Sequence, residues 1–170
     1  MTTSAEPGGV PASVGPDDEA WLARAVQLAV DNVAAGGGPF GALVVAEGRL
    51  LADGVNQVVP TLDPTAHAEV VAIRGACRAR RDFALTGATL YCSCEPCPLC
   101  LAAALWARAG RVVYAATRDD AEAAGFDDRR FYELFATPAS TWPTPAVRVV
   151  VATAREPFEA WDASPTKVPY

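Results

Sequence analysis

Three residues of this chain have the types and the spacing of zinc ligands. The single histidine is His67, and Cys97 and Cys100 follow about thirty residues later in the run Pro-Cys-Pro-Leu-Cys. One imidazole and two thiolates fill three of the four positions of a tetrahedral zinc ion, which leaves one position open for water, as in catalytic zinc sites. The sequence therefore predicts one Zn²⁺ per chain, held by His67, Cys97 and Cys100.

Glu69, two residues beyond His67, is the candidate catalytic group. A carboxylate within hydrogen-bond reach of an acidified water can take its proton and pass it to a substrate. The pattern His-x-Glu followed by Pro-Cys-x-x-Cys is typical of zinc-dependent nucleobase deaminases, whose glutamate is a general acid and base and not a ligand. The alternative is that Glu69 only stabilises the start of a helix.

The other cysteines leave a second interpretation of the metal site open. Cys92 or Cys94 could be a fourth ligand that closes the site, or the four cysteines of this region could bind metal without His67. Both residues lie on a predicted strand, and Pro96 turns the chain before the next helix. We therefore expect them and Cys77 to be packing residues or bystander thiols.

Composition favours one globular domain that acts on a small molecule. The chain has 170 residues, of which 51% are hydrophobic and 20% charged. Its 14 basic and 20 acidic residues give a net charge of −6, whereas nucleic-acid binding usually needs a basic surplus, so the composition disfavours nucleic acid as a partner. The odd cysteine count, and the lack of a secretory signal or a membrane-spanning apolar run, predict a cytoplasmic protein with no membrane association.

Alternating helices and strands predict an α/β fold. Helices are expected from residue 17 or 18 to about 35, over 65–81, 97–108 and most of 121–135, and briefly near 158–161; strands are expected over 40–46, 49–55, 89–94, 111–116 and 146–153. Five strands interleaved with helices predict a three-layer α/β/α domain, whose mixed sheet begins with an antiparallel hairpin and continues through helical crossovers. Residues 1–16 are expected to be a disordered arm, residues 17–154 the zinc-dependent deaminase domain and residues 155–170 a C-terminal tail.

Two of the predicted helix starts explain how the site is positioned. His67 and Glu69 fall in the first turn of one helix, while Cys97 and Cys100 open another and share a face because they are spaced i, i+3. The unsatisfied N–H groups and the positive ends of both helices favour thiolate over thiol. Two helix N-termini are therefore expected to converge on the metal.

Three stretches resemble the cytidine deaminase-like superfamily, namely residues 39–42, 63–69 and 94–100. Within that superfamily the chain is most similar to the bacterial guanine deaminase family, because of residues 106–108, 123–128 and 157–161 and the terminal Tyr170. The resemblance extends from about residue 18 to the end. It implies the cytidine deaminase-like fold and the hydrolysis of guanine to xanthine and ammonia, with hydroxide attacking C2 and Glu69 moving protons to N3 and to the leaving amine.

The resemblance also implies how the purine is held. Asn56 would hydrogen-bond the purine, Phe40 would stack on its ring, and the Ala68 backbone and Asp128 would contact its polar edge. Trp106 would be a wall of the pocket. Each side chain has a structural alternative, since Asn56 could turn the chain, Asp128 could cap a helix, and Phe40 and Trp106 could belong to the core.

A homodimer is a further implication of the resemblance. In this family the C-terminal segments cross over and close the partner's active site, so Tyr170 would act in trans on the other subunit. Glu133 is a candidate second acidic group for proton relay, the alternative being an exposed residue on a surface helix.

Other functions remain compatible with the same motifs. A tRNA adenosine deaminase shares the zinc chemistry but needs a basic face for its RNA. Guanosine, an amino-triazine or cytosine presents the same kind of amidine carbon as guanine. A zinc-stabilised binding module without turnover is the non-enzymatic alternative, although such a module would have no use for a carboxylate at the position of Glu69.

Overall fold

The structure is a computed structural model, and it describes residues 13–169. In chain order the elements are α1 (Asp18–Ala34), β1 (Gly41–Ala46), β2 (Arg49–Val55), α2 (Val58–Thr61), α3 (Ala68–Arg80), β3 (Thr89–Cys94), α4 (Pro98–Trp106), β4 (Arg111–Ala116), α5 (Arg118–Ala123), α6 (Asp128–Phe135), a 3₁₀ turn (Ala139–Thr141) and α7 (Glu156–Ala163). No helix within residues 13–169 is long and apolar enough to cross a membrane. Most of the predicted N-terminal arm and Tyr170 lie outside the described residues.

One mixed sheet carries the fold, with strands in the order β2-β1-β3-β4. β1 pairs antiparallel with β2 and with β3, whereas β3 pairs parallel with β4. The β1–β2 turn is made by Glu47 and Gly48, which both have positive φ angles, as the tightest hairpins require. The α/β class, the hairpin and the mixed sheet are therefore confirmed.

The expected fifth strand, over residues 146–153, is wrong. The sheet has four strands within the described chain, and residues 146–153 form neither a helix nor a strand. Val147, Val149 and Val150 are 78%, 76% and 84% exposed. An apolar run becomes a strand only where a neighbouring strand can take its hydrogen bonds, and no such pairing forms within residues 13–169.

Helices cover both faces of the sheet because neighbouring residues of β1 point in opposite directions. Leu43 and Val45 pack with Ala25 of α1 and Tyr91 of β3 in one buried cluster. On the other face Ala42 and Val44 join a larger buried cluster that the helices α3 and α4 complete with alanines. Small side chains on these helices bring their backbones close to the sheet.

The closest approach fixes the start of α3. A Cβ atom on Gly54 of β2 would lie 2.3 Å from the Ala68 carbonyl oxygen and 2.5 Å from the Ala72 nitrogen. Only glycine therefore lets the first turn of α3 lie against β2. This contact sets the position of His67, the residue immediately before that turn.

Two details of the predicted helices differ in the structure. The stretch over 121–135 contains parts of two helices, α5 and α6, separated at Gly125, whose φ of 93° is one that L-residues rarely adopt. The short helix α2 was not expected. Both differences lie next to the candidate site, because α2 and the α5–α6 connection line the same cavity as His67.

Candidate active site

The structure brings the three predicted zinc ligands together. The distance between Cys97 Sγ and His67 Nδ1 is 3.5 Å, that between Cys100 Sγ and His67 Nδ1 is 3.4 Å, and the two sulfurs are 3.6 Å apart. Zinc with Zn–S bonds of about 2.3 Å and Zn–N bonds of about 2.0 Å places its ligand atoms about 3.5–3.8 Å apart. The triangle thus fits one Zn²⁺, and no other cluster of three such ligands occurs within residues 13–169.

The ligands lie at the starts of two helices, as predicted. His67 and Cys97 are the N-cap residues of α3 and α4, both in extended conformation, and Cys100 lies in the first turn of α4. Pro98 at the start of α4 suits that position because a first-turn residue needs no N–H donor. The helix starts therefore place positive dipole ends beside two sulfurs that zinc binding requires as thiolates.

Hydrogen bonding between the two cysteines separates their affinities for a proton. A hydrogen bond between the two sulfurs lowers the pKa of Cys97 despite its burial. The same hydrogen bond, together with burial, raises the pKa of Cys100. Cys97 is therefore favoured as a thiolate, and Cys100 would lose its proton on binding zinc.

Glu69 is buried next to the ligands. It lies in the first turn of α3 and is only 7% exposed. Burial raises the pKa of its carboxyl group, an effect that hydrogen bonds from its own backbone and from Cys100 partly oppose. A carboxyl group in this environment can take up and release a proton nearer to neutral pH than an exposed glutamate.

A cavity of about 500 Å³ opens onto the ligands and the glutamate, with His67, Glu69 and Cys97 in its wall. A volume of this size is typical of sites for small ligands. The remaining residues that line it come from the loop before β1, the turn after β2, α2, the loop before α4, the α5–α6 connection and α6: Gly36, Gly37, Gly38, Pro39, Phe40, Asn56, Val58, Val59, Glu95, Phe126, Asp127, Asp128 and Phe131.

Three predicted substrate-contacting side chains line this cavity. Phe40 packs edge-on against Phe126, with ring centroids 4.8 Å apart. Asn56 follows the last residue of β2, and its Oδ1 accepts a hydrogen bond from Val58 N. Asp128 begins α6, and burial raises the pKa of its carboxyl group. The cavity thus offers an aromatic face, an amide and a carboxyl group.

The remaining predicted contacts are placed differently. Ala68 is buried at the start of α3 between two cavity residues. Trp106 is 61% exposed at the far end of α4, about 9 Å along the helix from Cys100, and does not line the cavity. Glu133 is exposed on α6 and is also outside the cavity wall. Tyr170 lies outside the described residues.

The open-site interpretation of the cysteines agrees with the structure. Cys92 and Cys94 are buried on β3, and neither joins the ligand cluster. Cys94 Sγ donates to the Thr117 carbonyl oxygen instead. Burial raises the pKa of both thiols.

Glu95 has no predicted role, although it lies inside the cysteine motif. Its carboxylate accepts hydrogen bonds from the backbone N and the guanidinium of Arg118 in α5. That guanidinium lies 3.9 Å from the ring centroid of Tyr132, whose hydroxyl donates to the Pro96 carbonyl oxygen over 2.6 Å. These contacts attach α5 and α6 to the loop before α4. No local pattern identifies them, because the partners are 23 and 36 residues apart.

Phe126, Asp127 and Phe131 are further cavity residues without a predicted role. Phe126 and Asp127 belong to the segment that supported the resemblance, and Phe131 is one helical turn beyond Asp128. The spacing of Asp128 and Phe131 on a strongly amphipathic helix is the signal that could have identified this face.

An α/β fold with a mixed sheet, two convergent helix starts bearing one histidine and two cysteines, and a buried glutamate define a zinc-dependent deaminase. Residues 16–116 match the family described as the cytidine and deoxycytidylate deaminase zinc-binding region, and the chain belongs to this family.

Guanine deaminases are among its relatives. The chain is 49% identical over 144 residues to guanine deaminase from Bacillus subtilis, an alignment that covers 84% of this chain and 92% of the relative. The crystal structure of guanine deaminase from B. subtilis superposes with a TM-score of 0.87 at 47% identity, covering 89% of this chain and 98% of that one. A structure of the protein NE0047 in complex with 2,6-diaminopurine gives a TM-score of 0.63 at 37% identity, covering 68% and 65% of the two chains.

Proposed function

We propose that this protein is a guanine deaminase that hydrolyses guanine to xanthine and ammonia. The observation that carries the proposal is the buried Glu69 beside the His67, Cys97 and Cys100 triangle, at a cavity with an aromatic wall and polar groups. The likeness to guanine deaminase over most of the chain supports guanine as the substrate.

His67, Cys97 and Cys100 would hold the zinc, and Glu69 would move the protons. When bound, Zn²⁺ supplies Lewis acidity that makes a water molecule nucleophilic near neutral pH. Glu69 takes a proton from that water and delivers it to N3 while the oxygen bonds to C2. It then takes the second proton and gives it to the 2-amino group as the C2–N bond breaks, so that guanine and water become xanthine and ammonia.

Residues from three sides of the cavity would orient the purine. Phe40 would stack on the ring system, and the carboxamide of Asn56 would donate to an acceptor on its edge. Asp128 and the backbone N–H of Ala68 would bind the polar edge near the reacting carbon. The elevated pKa of Asp128 suits a carboxyl group that shares a proton with a ring nitrogen.

The exposed C-terminal segment supports a homodimer in which tails cross over. β4 is the last strand of the sheet, and beside it lies an apolar groove of about 360 Å³ lined by Val26, Val30 and Val33 of α1. Residues 146–153 have the composition of a strand that could cover this edge in a partner subunit. The tail over 155–170, with Tyr170, would then reach the partner's cavity. We further propose a cytoplasmic location, where reducing conditions keep the zinc-binding thiols free.

The second candidate is a tRNA adenosine deaminase, since the chain is 37% identical over 101 residues to the tRNA-specific adenosine deaminase of Haemophilus influenzae. That alignment covers 59% of this chain and 58% of the relative. The net charge of −6 favours the smaller substrate.

The substrate is tested by ammonia release from the zinc-loaded protein with guanine, guanosine, adenine, cytosine, an amino-triazine and an anticodon stem-loop RNA. We expect turnover of guanine at a kcat/KM at least about a hundredfold above that of every other compound. Faster release from the RNA would replace guanine deamination with tRNA editing. Faster release from another heterocycle would keep the chemistry and change the substrate.

A further inference from the structure

Asn32 is a buried amide in the last turns of α1 that contacts both sides of the cavity rim. It is only 5% exposed. Its Nδ2 donates to the Gly38 carbonyl oxygen over 2.8 Å and to the Asn56 carbonyl oxygen over 2.9 Å. Its Oδ1 accepts a longer hydrogen bond, of 3.4 Å, from Gln57 Nε2. One side chain thus joins the loop of residues 36–38, called the glycine loop below, to the turn that follows β2.

The glycine loop is shaped around this side chain. Gly37 N donates to the Asn32 carbonyl oxygen over 2.8 Å. A Cβ atom on Gly37 would lie 2.3 Å from Asn32 Nδ2 and 2.6 Å from Asn32 Oδ1. Any larger residue at position 37 would therefore displace the carboxamide from its two acceptors.

The turn that Asn32 holds contains a proposed purine contact. Asn56 N donates to the Phe40 carbonyl oxygen over 3.1 Å, and Gln57 N donates to the Ala66 carbonyl oxygen over 2.9 Å. The turn is therefore fixed between the aromatic wall and the residue that precedes His67. Asn32 adds the third attachment, from the side of α1.

This arrangement also selects which group of Asn56 faces a ligand. Its Oδ1 already accepts from Val58 N, over 3.2 Å. The amino group of the carboxamide is left as the donor for the cavity. A shift of the Asn56 backbone would move that donor, and a displacement of about 1 Å is enough to weaken a hydrogen bond to a bound ring.

We propose that Asn32 is a positioning residue, which holds the Asn56 turn and the glycine loop so that the Asn56 amide meets an acceptor on the substrate. This inference rests on the proposed function, because it assigns a role in binding guanine. Asn32 does not line the cavity and acts only through Asn56 and Gly38.

Asn32→Asp and Gly37→Ala test this role. The first keeps the shape of the side chain but removes the donor, and the second keeps Asn32 but fills its space. We expect each to raise KM for guanine about tenfold or more while kcat stays within about threefold and bound zinc is unchanged. The control is Asp31→Asn, which replaces a carboxylate with a carboxamide on the exposed face of α1 and so makes the reverse exchange. Its KM and kcat should match those of the wild type.

A double-mutant cycle with Asn56→Ala separates positioning from a general effect on folding. If Asn32 acts through Asn56, Asn32→Ala raises KM in the wild-type background but changes it less than about twofold in the Asn56→Ala background. Equal factors in both backgrounds would overturn the proposal, as would an unchanged KM in a folded variant. Absence of guanine turnover in the wild type would instead contradict the proposed function and is seen before any variant is made.

Discussion

Two apolar segments of this molecule differ in burial. Residues 41–46 of β1 are buried between α1 and α3, whereas residues 146–151, which are apolar except for Arg148, remain exposed. β1 has a strand on each side, and the later segment has none within the described residues. The zinc-binding part of the chain, residues 18–116, thus pairs its own strands, whereas the apolar segment in the C-terminal part, residues 117–169, needs another surface.

The candidate active site takes residues from both parts of the chain. His67, Glu69 and Cys97 belong to the zinc-binding part, and Asp128 belongs to α6 in the C-terminal part. The contacts of Glu95, Arg118 and Tyr132 help to attach α5 and α6 to the zinc-binding part. We infer that metal binding is a property of the single chain. In the proposed dimer, substrate binding would depend in addition on the surface that covers the C-terminal segment.

The largest effect on zinc content and activity is expected from removal of a zinc ligand in the zinc-binding part. Cys100→Ala deletes one of three zinc ligands, so we expect bound zinc below about a tenth of the wild-type content and loss of guanine turnover by about a thousandfold or more. Atomic absorption and ammonia release measure the two quantities. Cys77→Ala, at a cysteine outside the ligand cluster, is the matched control. Zinc retained in Cys100→Ala would mean that another residue completes the site.

Charged residues introduced into the C-terminal segment should disrupt the proposed dimer without changing metal binding. The double variant Val149→Asp, Val150→Asp makes the proposed partner-covered strand polar, and we expect light scattering to show monomers in place of dimers. Zinc content should remain at the wild-type level. Val14→Asp, another exposed valine, is the control and should stay dimeric. A dimer that tolerates both aspartates would place the interface elsewhere.

A smaller effect, on stability, is expected at the ion pair between Asp18 and Arg111 in the zinc-binding part. Buried Asp18 accepts hydrogen bonds from Arg111 and from the hydroxyl of Tyr91 over 2.8 Å. The hydrogen bond from Arg111 is the main reason that the pKa of Asp18 is lowered to about 2. Asp18→Asn should reduce the free energy of unfolding by about 2 kcal/mol at pH 7.

The pH dependence of that effect has a definite direction. Because the folded-state pKa of Asp18 is lowered from 3.8 to about 2, its contribution is fully present above about pH 4 and is lost as the pH falls towards 2. Urea unfolding of wild type and Asp18→Asn should therefore converge over this range. A stability difference that stays constant from pH 7 to pH 2 would show that the ion pair is not its cause.

The zinc site was predictable from sequence because its signals are local. His67 and Cys97 are N-cap residues, and the residues beside them mark the starts of α3 and α4. The strands β1 to β4 could be located by their apolar runs for the same reason.

The cavity rim and the C-terminal segment were less predictable because their contacts are distant in the chain. The link from Asn32 to Asn56 spans 24 residues, and the link from Arg118 to Glu95 spans 23. Trp106 was expected at the cavity, but the direction of α4 carries it away from the ligands. The strand expected over 146–153 failed because an apolar pattern does not specify the surface that covers it.

Deamination of guanine in ¹⁸O-labelled water tests whether a water molecule attacks C2 with Glu69 as the proton carrier. We expect xanthine that carries one labelled oxygen at C2, with Glu69→Gln slower by about a thousandfold at unchanged zinc content and Glu19→Gln, at an exposed glutamate of α1, as active as wild type. Xanthine without the label, or a Glu69→Gln variant that keeps wild-type activity, would contradict this mechanism.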